Sequence, residues 1–600
     1  RVNNSSKNTL SFLPVSQKEI EDLGWDQPDV IIFTGDAYVD HPSFGAAVIG
    51  RVIEDEGFRV ALVPQPNWKD DLRDFRKLGI PKYFFGITAG NMDSMVNHYT
   101  AARRLRSDDA YTPGGRSGFR PDYPTIVYSR ILRKLFPDVP VVIGGIEASM
   151  RRLTHYDYWN DRLEPSILYS SGADMLIYGM GEQPIRELMR LLGKGVPFSS
   201  ITTVPQTGIL LDAAASLPVN RNWKDVILKS HEEAKRSREA FAANFVVFEK
   251  ESNKLVSARL IEPVADKKTV INPPFLPMEE KEADRSYDLP YTYLPHWKYN
   301  RKEPIPAYEM IKFSVNIHRG CFGGCSFCAI AAHQGKHIVK RSERSILEEI
   351  ERIRNIKGFS GYISDLGGPS ANMYNMKGIN RDICLKCSRP SCIWPSVCSN
   401  LDTDHQVLTE LYKKVNSFPG IKKAFIGSGI RYDLFFREWN SKAGRAENEY
   451  FRQLVVYHLS GWLKVAPEHT SPEVLRLMRK APFSFFRELK RKFDRITADE
   501  GLKYLIVPYF ISSHPGSSEK EMAEMAEEVR SLGIKPEQVQ DFTPTPMTLA
   551  TTIYYCGFDP YTGKKVYVAR KAEERKRQKE SLFWYRRPGR QKSKDPRGRK

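Results

Sequence analysis

Near-continuous apolar runs recur through the first third of the chain, at Asp29–Thr34, Phe58–Val63, Tyr83–Thr88, Pro140–Ile146 and Met175–Tyr178. Runs without alternation are expected of parallel strands covered on both faces. Between some of them the spacing turns helical, as over Ala46–Glu56. This alternation predicts an α/β fold with an amino-terminal Rossmann-like, doubly wound domain over residues 1–200. Such sheets bind ligands beyond the carboxyl ends of their strands. The stretches at 35–45, 89–94, 144–149 and 179–182 follow strands, are polar or glycine-rich, and would gather on that edge.

The grammar changes over 201–300. Ser230–Ala242 reads as a charged helix, and Asn272–Tyr299 is rich in proline, acidic residues and tyrosine. Proline interrupts regular hydrogen-bond ladders, so this region is expected to be a connector or extension. Its aromatics predict packing against both neighbours rather than random coil. Alternation resumes over 301–560. Strand-like runs at Ile311–Ile317, Gly361–Asp365, Ala424–Arg431, Leu463–His469, Tyr504–Ser512 and Gln540–Thr545 are separated by helical patterns. They predict a (β/α) barrel with its chemistry at the strand carboxyl ends. Residues 561–600 form a basic tail.

With 600 residues, 41% of them hydrophobic and 27% charged, the chain can bury several cores. No apolar run approaches the roughly 20 residues of a membrane helix. The net charge is +19, but residues 561–600 hold 16 Lys or Arg against 4 Asp or Glu, so the tail carries twelve of those charges. Phe583, Trp584 and Tyr585 interrupt it. Basic segments with aromatics can hold phosphate backbones and stack bases, which makes the tail a candidate RNA contact. His155–Trp159, after Arg151 and Arg152, is either a second such surface or a packed interdomain cluster. Seven of eight cysteines fall between 321 and 398. Clustering of this kind favours metal binding in a reducing compartment over a disulfide framework, and a cytoplasmic location is expected.

The chemistry centres on S-V-N-I-H-R-G-C-F-G-G-C-S-F-C, residues 314–328. Cys321, Cys325 and Cys328 are spaced Cys-x3-Cys-x2-Cys on a glycine-rich loop leaving a predicted strand. Three converging thiolates suit a soft metal or an iron–sulfur cluster. The absence of an obvious fourth ligand points to a cluster with one open iron. A second group, Cys384, Cys387, Cys392 and Cys398, lies in an apparent insertion near 380–400. Four thiolates fit either a structural zinc or an auxiliary iron–sulfur cluster. Cys556 stands alone and is expected to be packed.

The first loop resembles that of the radical S-adenosylmethionine (SAM) enzymes, whose motif is Cys-x3-Cys-x-aromatic-Cys; Phe327 fills the aromatic position. The resemblance implies a partial (β/α)6 barrel and a 4Fe–4S cluster on Cys321, Cys325 and Cys328. SAM would chelate the fourth iron and be cleaved to methionine and a 5′-deoxyadenosyl radical. A flavodoxin- or ferredoxin-like electron donor is implied. Gly367 and Gly368 match the Gly-Gly-Glu turn that binds the SAM amino group, with Pro369 in place of the acid. By position at strand ends, Ser428, Arg431, Glu468 and His514 are candidate SAM or substrate contacts. The first 200 residues resemble the cobalamin-binding-type domain that precedes many such cores. The Asp-x-His-x-x-Gly signature is absent, because Asp40 and His41 are adjacent, so cobalamin itself is not expected.

Nearly the whole chain resembles the YgiQ-type family of radical SAM proteins, through 36–50, 144–152, 272–295, the cysteine loop and 427–432. That likeness implies SAM, the cluster and the fold, and no assigned reaction. Three readings stand. The first is radical chemistry on a nucleic acid or other macromolecule. The second is the same chemistry on a small metabolite between the two domains. The third is a nucleic-acid-binding protein with metal-stabilised cysteine loops and no catalysis.

Overall fold

The computed structural model describes residues 11–435 and 442–586. Five parallel strands build the amino-terminal sheet, in the order 60–64, 30–34, 84–88, 141–144 and 175–177. Val30–Thr34 and Val60–Pro64 are buried at every position, which is why their sequences do not alternate. The chain reverses direction across the sheet between strands 30–34 and 84–88. This is the point at which open α/β sheets form their ligand crevice.

Residues 201–300, expected as a connector or extension, add four strands to this sheet between 207 and 271. Thr207–Asp212 pairs antiparallel with strand 175–177, and Lys267–Ile271, Arg259–Val264 and Asp225–Ile227 follow it to the edge. These strands carry charged residues at their ends, as at Asp212, Lys267, Arg259 and Asp225, so their apolar signal is weak. The proline- and tyrosine-rich run beyond them is ordered: Tyr287, Tyr291 and Tyr293 are buried. Leu294–Pro295 pairs with Val39–Asp40.

Six parallel strand segments succeed one another in the second half: Ser314–Asn316, Tyr362–Gly367, Lys423–Ala424, Trp462–Glu468, Leu505–Ser512 and Gln538–Asp541. With the helices between them they form a radical SAM-type partial (β/α)6 barrel. Among the described residues no strand pairing links the third segment to the fourth; just past the third, the Ile426 amide donates to His458 O, ahead of the fourth, at 3.0 Å.

The carboxyl-terminal segment docks on the body. In helix Ala572–Glu580 Arg575 and Gln578 are buried, and Gln578 Oε1 accepts from the Ser513 amide at 2.9 Å. Leu582 is fully buried, and Phe583, Trp584 and Tyr585 are half-buried. Residues 587–600, the last part of the tail read as an RNA contact, lie outside the described residues. His155, Tyr156 and Tyr158 are buried, Tyr156 tilted against Tyr554 at 6.1 Å and Tyr158 edge-on to it at 5.8 Å. They are packing residues, not an exposed nucleic-acid surface.

Glu262, inside the edge strands, is buried and accepts from the Thr154 amide at 2.8 Å. Burial pushes its carboxyl up to about 7, against the lowering effect of Thr154. A carboxyl raised on folding holds an extra proton in the native state, so its contribution to stability is lost as pH rises from the ordinary 4.5 through about 7. Glu262→Gln keeps a neutral acceptor there. It is expected to narrow the gap between urea midpoints at pH 5 and pH 8; an unchanged gap rejects this assignment.

Candidate functional site

The cysteine loop leaves the first barrel strand and is fixed on every side. Cys321 N donates to Gly335 O at 3.1 Å, Ser326 N to Met478 O at 3.0 Å, and Ala550 N to Ser326 O at 2.9 Å. Cys321, Cys325 and Cys328 are free and partly buried. Phe327 is half-buried, its ring edge-on to His514 at 5.8 Å. His514 is buried, with Nδ1 against Pro515 O and Nε2 3.4 Å from Ser326 Oγ. Its neighbours make it a support for the loop.

Charge converges on the thiols. Arg431 Nη1 lies 3.6 Å from Cys325 Sγ, while its other nitrogens are held by Asp433 at 3.0 and 2.6 Å. The Gly323 amide donates to Cys321 Sγ at 3.4 Å. Burial pushes the Cys321 thiol up, opposed by Arg431. Burial and then the neighbouring Cys325 push Cys328 up to about 12. Left to themselves Cys321 and Cys328 keep their protons, and a bound metal would have to displace them. Glu468 is buried with a left-handed backbone, φ +68°; burial raises its carboxyl against the pull of Lys480 and Arg431.

Gly367 and Gly368 face crowded neighbours. A Cβ on Gly367 would lie 2.4 Å from Ser428 Oγ, and one on Gly368 would lie 2.5 Å from the His318 ring. Ser428 Oγ donates to Asp365 Oδ2 at 2.5 Å, and the Gly427 amide donates to Asp365 Oδ1 at 2.8 Å. Asp365 therefore clamps the 427–428 turn against the strand that ends in Gly367. Sequence reasoning missed it, because a strand-ending aspartate carries no distinguishing pattern. It also missed His318, which the His-Arg-Gly-Cys run could have flagged. His318 is 1% exposed and neither ring nitrogen has a partner.

His318 lines a cavity of about 540 Å³ between the amino-terminal sheet and the barrel. The sheet side is the crevice at its strand reversal, formed by Ser43, Gly45, Asn91, Gly145 and Gly181. The barrel side is formed by Asn316, His318, Pro369, Ile330 and His333. Arg319 pairs with Glu182 across the seam. His41 is absent from the lining; it is buried edge-on to Tyr293 at 5.1 Å.

Cys384, Cys387, Cys392 and Cys398 all line one pocket of about 80 Å³. Among the described residues no three His, Cys, Asp or Glu side chains are gathered tightly enough for a single metal ion. Nor, among them, is any helix long and apolar enough to cross a membrane.

Residues 12–314 match the Radical SAM N-terminal family, 315–529 the Radical SAM superfamily, and 537–591 a domain of unknown function, DUF3362. A UPF0313 protein of Bacteroides thetaiotaomicron is 57% identical over 96% of this chain and 94% of its own length. The UPF0313 protein GSU2873 of Geobacter sulfurreducens is 45% identical over 96% and 93%. A solved structure of the radical SAM methyltransferase TsrM of Kitasatospora setae, with cobalamin and a [4Fe–4S] cluster bound, is 14% identical. It covers 94% of this chain and 90% of that one, with a TM-score of 0.49.

At Gly324 the loop meets the insertion, with φ +64° and a Cβ position 2.2 Å from the carbonyl oxygen of Pro390. Gly501 has φ +63° and nothing within 4 Å. Gly501→Ala should pay only the left-handed backbone penalty, about 1–2 kcal/mol. Gly324→Ala should cost more and loosen the 380–400 insertion, read as a lower melting midpoint and faster tryptic cutting there. Equal effects of the two variants reject the contact.

Proposed function

The chain belongs to the UPF0313 family of radical SAM proteins, and on that premise we propose that it cleaves SAM at a 4Fe–4S cluster held by Cys321, Cys325 and Cys328, acting on a small organic molecule. When bound, such a cluster supplies the electron that splits SAM into methionine and a 5′-deoxyadenosyl radical. The observation that carries the reading is the convergence of three thiols with Arg431 at the carboxyl ends of barrel strands. The donor set fits a cluster: the thiols are free, each can bind one iron, and the Gly323 amide and Arg431 offer hydrogen bonds to sulfur.

The remaining groups take roles by position. Arg431, anchored by Asp433, offsets the negative charge of the cysteine sulfurs. Gly367 and Gly368 let Ser428 and His318 pack against that turn, whose backbone would receive the SAM amino group, and the Asp365–Ser428 clamp holds the facing turn still. Phe327 and Glu468 complete the wall around SAM. A flavodoxin- or ferredoxin-like protein is the proposed electron donor.

The cavity favours a small substrate over a macromolecule. At about 540 Å³ it falls within the usual range for small-molecule sites. Its barrel wall includes Pro369 and His318, which abut Gly368, so a ligand there would sit next to the SAM-binding turn. The unpartnered ring nitrogens of His318 give it a polar anchor.

The test is anaerobic reconstitution with iron and sulfide, reduction, and assay of 5′-deoxyadenosine beside the Cys321→Ala, Cys325→Ala, Cys328→Ala triple variant. Product is expected from the parent alone. If substrate gates cleavage, addition of SAM still changes the electron paramagnetic resonance of the reduced parent. A full, reducible cluster that neither forms product nor responds to SAM overturns the proposal.

A further inference from the structure

We infer that Cys384, Cys387, Cys392 and Cys398 hold a second iron–sulfur cluster rather than zinc, in contact with the loop of Cys321, Cys325 and Cys328. The first observation is the shared pocket. All four cysteines line one space of about 80 Å³ together with Phe322 of the first cysteine loop. Four thiolates can hold either zinc or an iron–sulfur cluster. Zinc is redox-inert, and a place beside the loop of Cys321, Cys325 and Cys328 calls for the redox-active group.

The second observation is Lys336. It is 3% exposed and lines the same pocket. Its ammonium donates to Arg389 O at 2.9 Å and lies 4.0 Å from Cys387 Sγ, with no carboxylate partner among the described residues. A buried ammonium needs an anion beside it, and four metal-bound thiolates supply one. Asn400 Nδ2 also donates to Cys384 Sγ at 3.4 Å. Hydrogen bonds of this kind to sulfur tune iron–sulfur potentials.

The third observation is the seam between the two cysteine groups. The Cys392 amide donates to Phe322 O at 3.0 Å, and Ser391 Oγ donates to the same oxygen at 3.3 Å. Phe322 is 2% exposed and packs in one apolar cluster with Cys321, Cys392 and Cys398. One peptide unit and one hydrogen bond therefore separate Cys321 from Cys392. The second cluster would take one electron from a flavodoxin- or ferredoxin-class donor, which is oxidised by one electron. It would pass that electron across Phe322 to the first site.

The experiment uses the full chain with Cys321, Cys325 and Cys328 replaced by Ala, reconstituted anaerobically, so that only the insertion can bind metal. About four iron and four sulfide per chain, a chromophore bleached by dithionite and no zinc are expected. About one zinc without sulfide overturns the inference, and so does a chain that binds neither. In the reduced parent, the two clusters should broaden each other's paramagnetic resonance relative to the triple variant. Identical signals remove the electronic contact. The metal count does not depend on SAM cleavage, so failure of the 5′-deoxyadenosine assay leaves this inference standing, and the reverse also holds.

Discussion

Backbone must pass where no side chain fits, and the cysteine loop depends on that constraint. Between Gly320 and Gly324 the chain threads past the carbonyl of His337, the guanidinium of Arg431 and the carbonyl of Pro390. A Cβ at Gly320, Gly323 or Gly324 would meet each of these at 2.2 Å. Gly320 and Gly324 also lie in the left-handed region, at φ +85° and +64°, where other residues are strained. The close fit turns a flexible-looking sequence into a rigid one. It presses the first cysteine group against the insertion that carries the second, and it puts Arg431 beside Cys325.

The buried charges divide into two kinds. Arg51 pairs with Asp40, Arg120 with Asp36 and Asp109, Arg151 with Asp93, Arg341 with Glu349, and Arg479 with Glu249, all at buried or nearly buried positions. Each joins segments distant in sequence or steadies a helix end, and each is costly to break because the partner would be stranded. Arg431 and Lys336 differ, since each directs a nitrogen toward cysteine sulfur. A cation beside sulfur in a dry site offsets the negative charge that a metal-bound thiolate would bring. The same device beside both cysteine groups links them chemically, as the Phe322 carbonyl links them structurally.

The cavity arises from the joining of two unlike sheets. The amino-terminal sheet offers the crevice at its strand reversal, and the barrel closes it with the strand and helix that flank the cysteine loop. Neither half encloses the space alone. The Arg319–Glu182 pair and the buried tyrosines of the 287–293 run hold the halves in register, so a ligand placed there is held next to the turn of Gly367 and Gly368.

Patterns of short range were legible in the sequence. The five parallel strands, the six barrel strands and the Cys-x3-Cys-x2-Cys loop follow from unbroken apolar runs and fixed local spacing, which depend on neighbouring residues alone. The edge strands at 207–271 were not legible, because their burial comes from a sheet already formed beside them. The sequence left the 155–159 cluster open between an exposed surface and a packed one, and the tail open as an RNA contact; the helix at 549–556 and the docked carboxyl-terminal segment decided for packing at 155–158 and partly buried the tail aromatics. Asp365, His318 and Lys336 gained meaning only through partners tens to hundreds of residues away. Local chemistry in the sequence thus determined which fold elements form and which thiols can bind metal. What those thiols face, and the cavity beside them, was decided by the tertiary structure, because distance and burial are set by contacts the linear order does not contain.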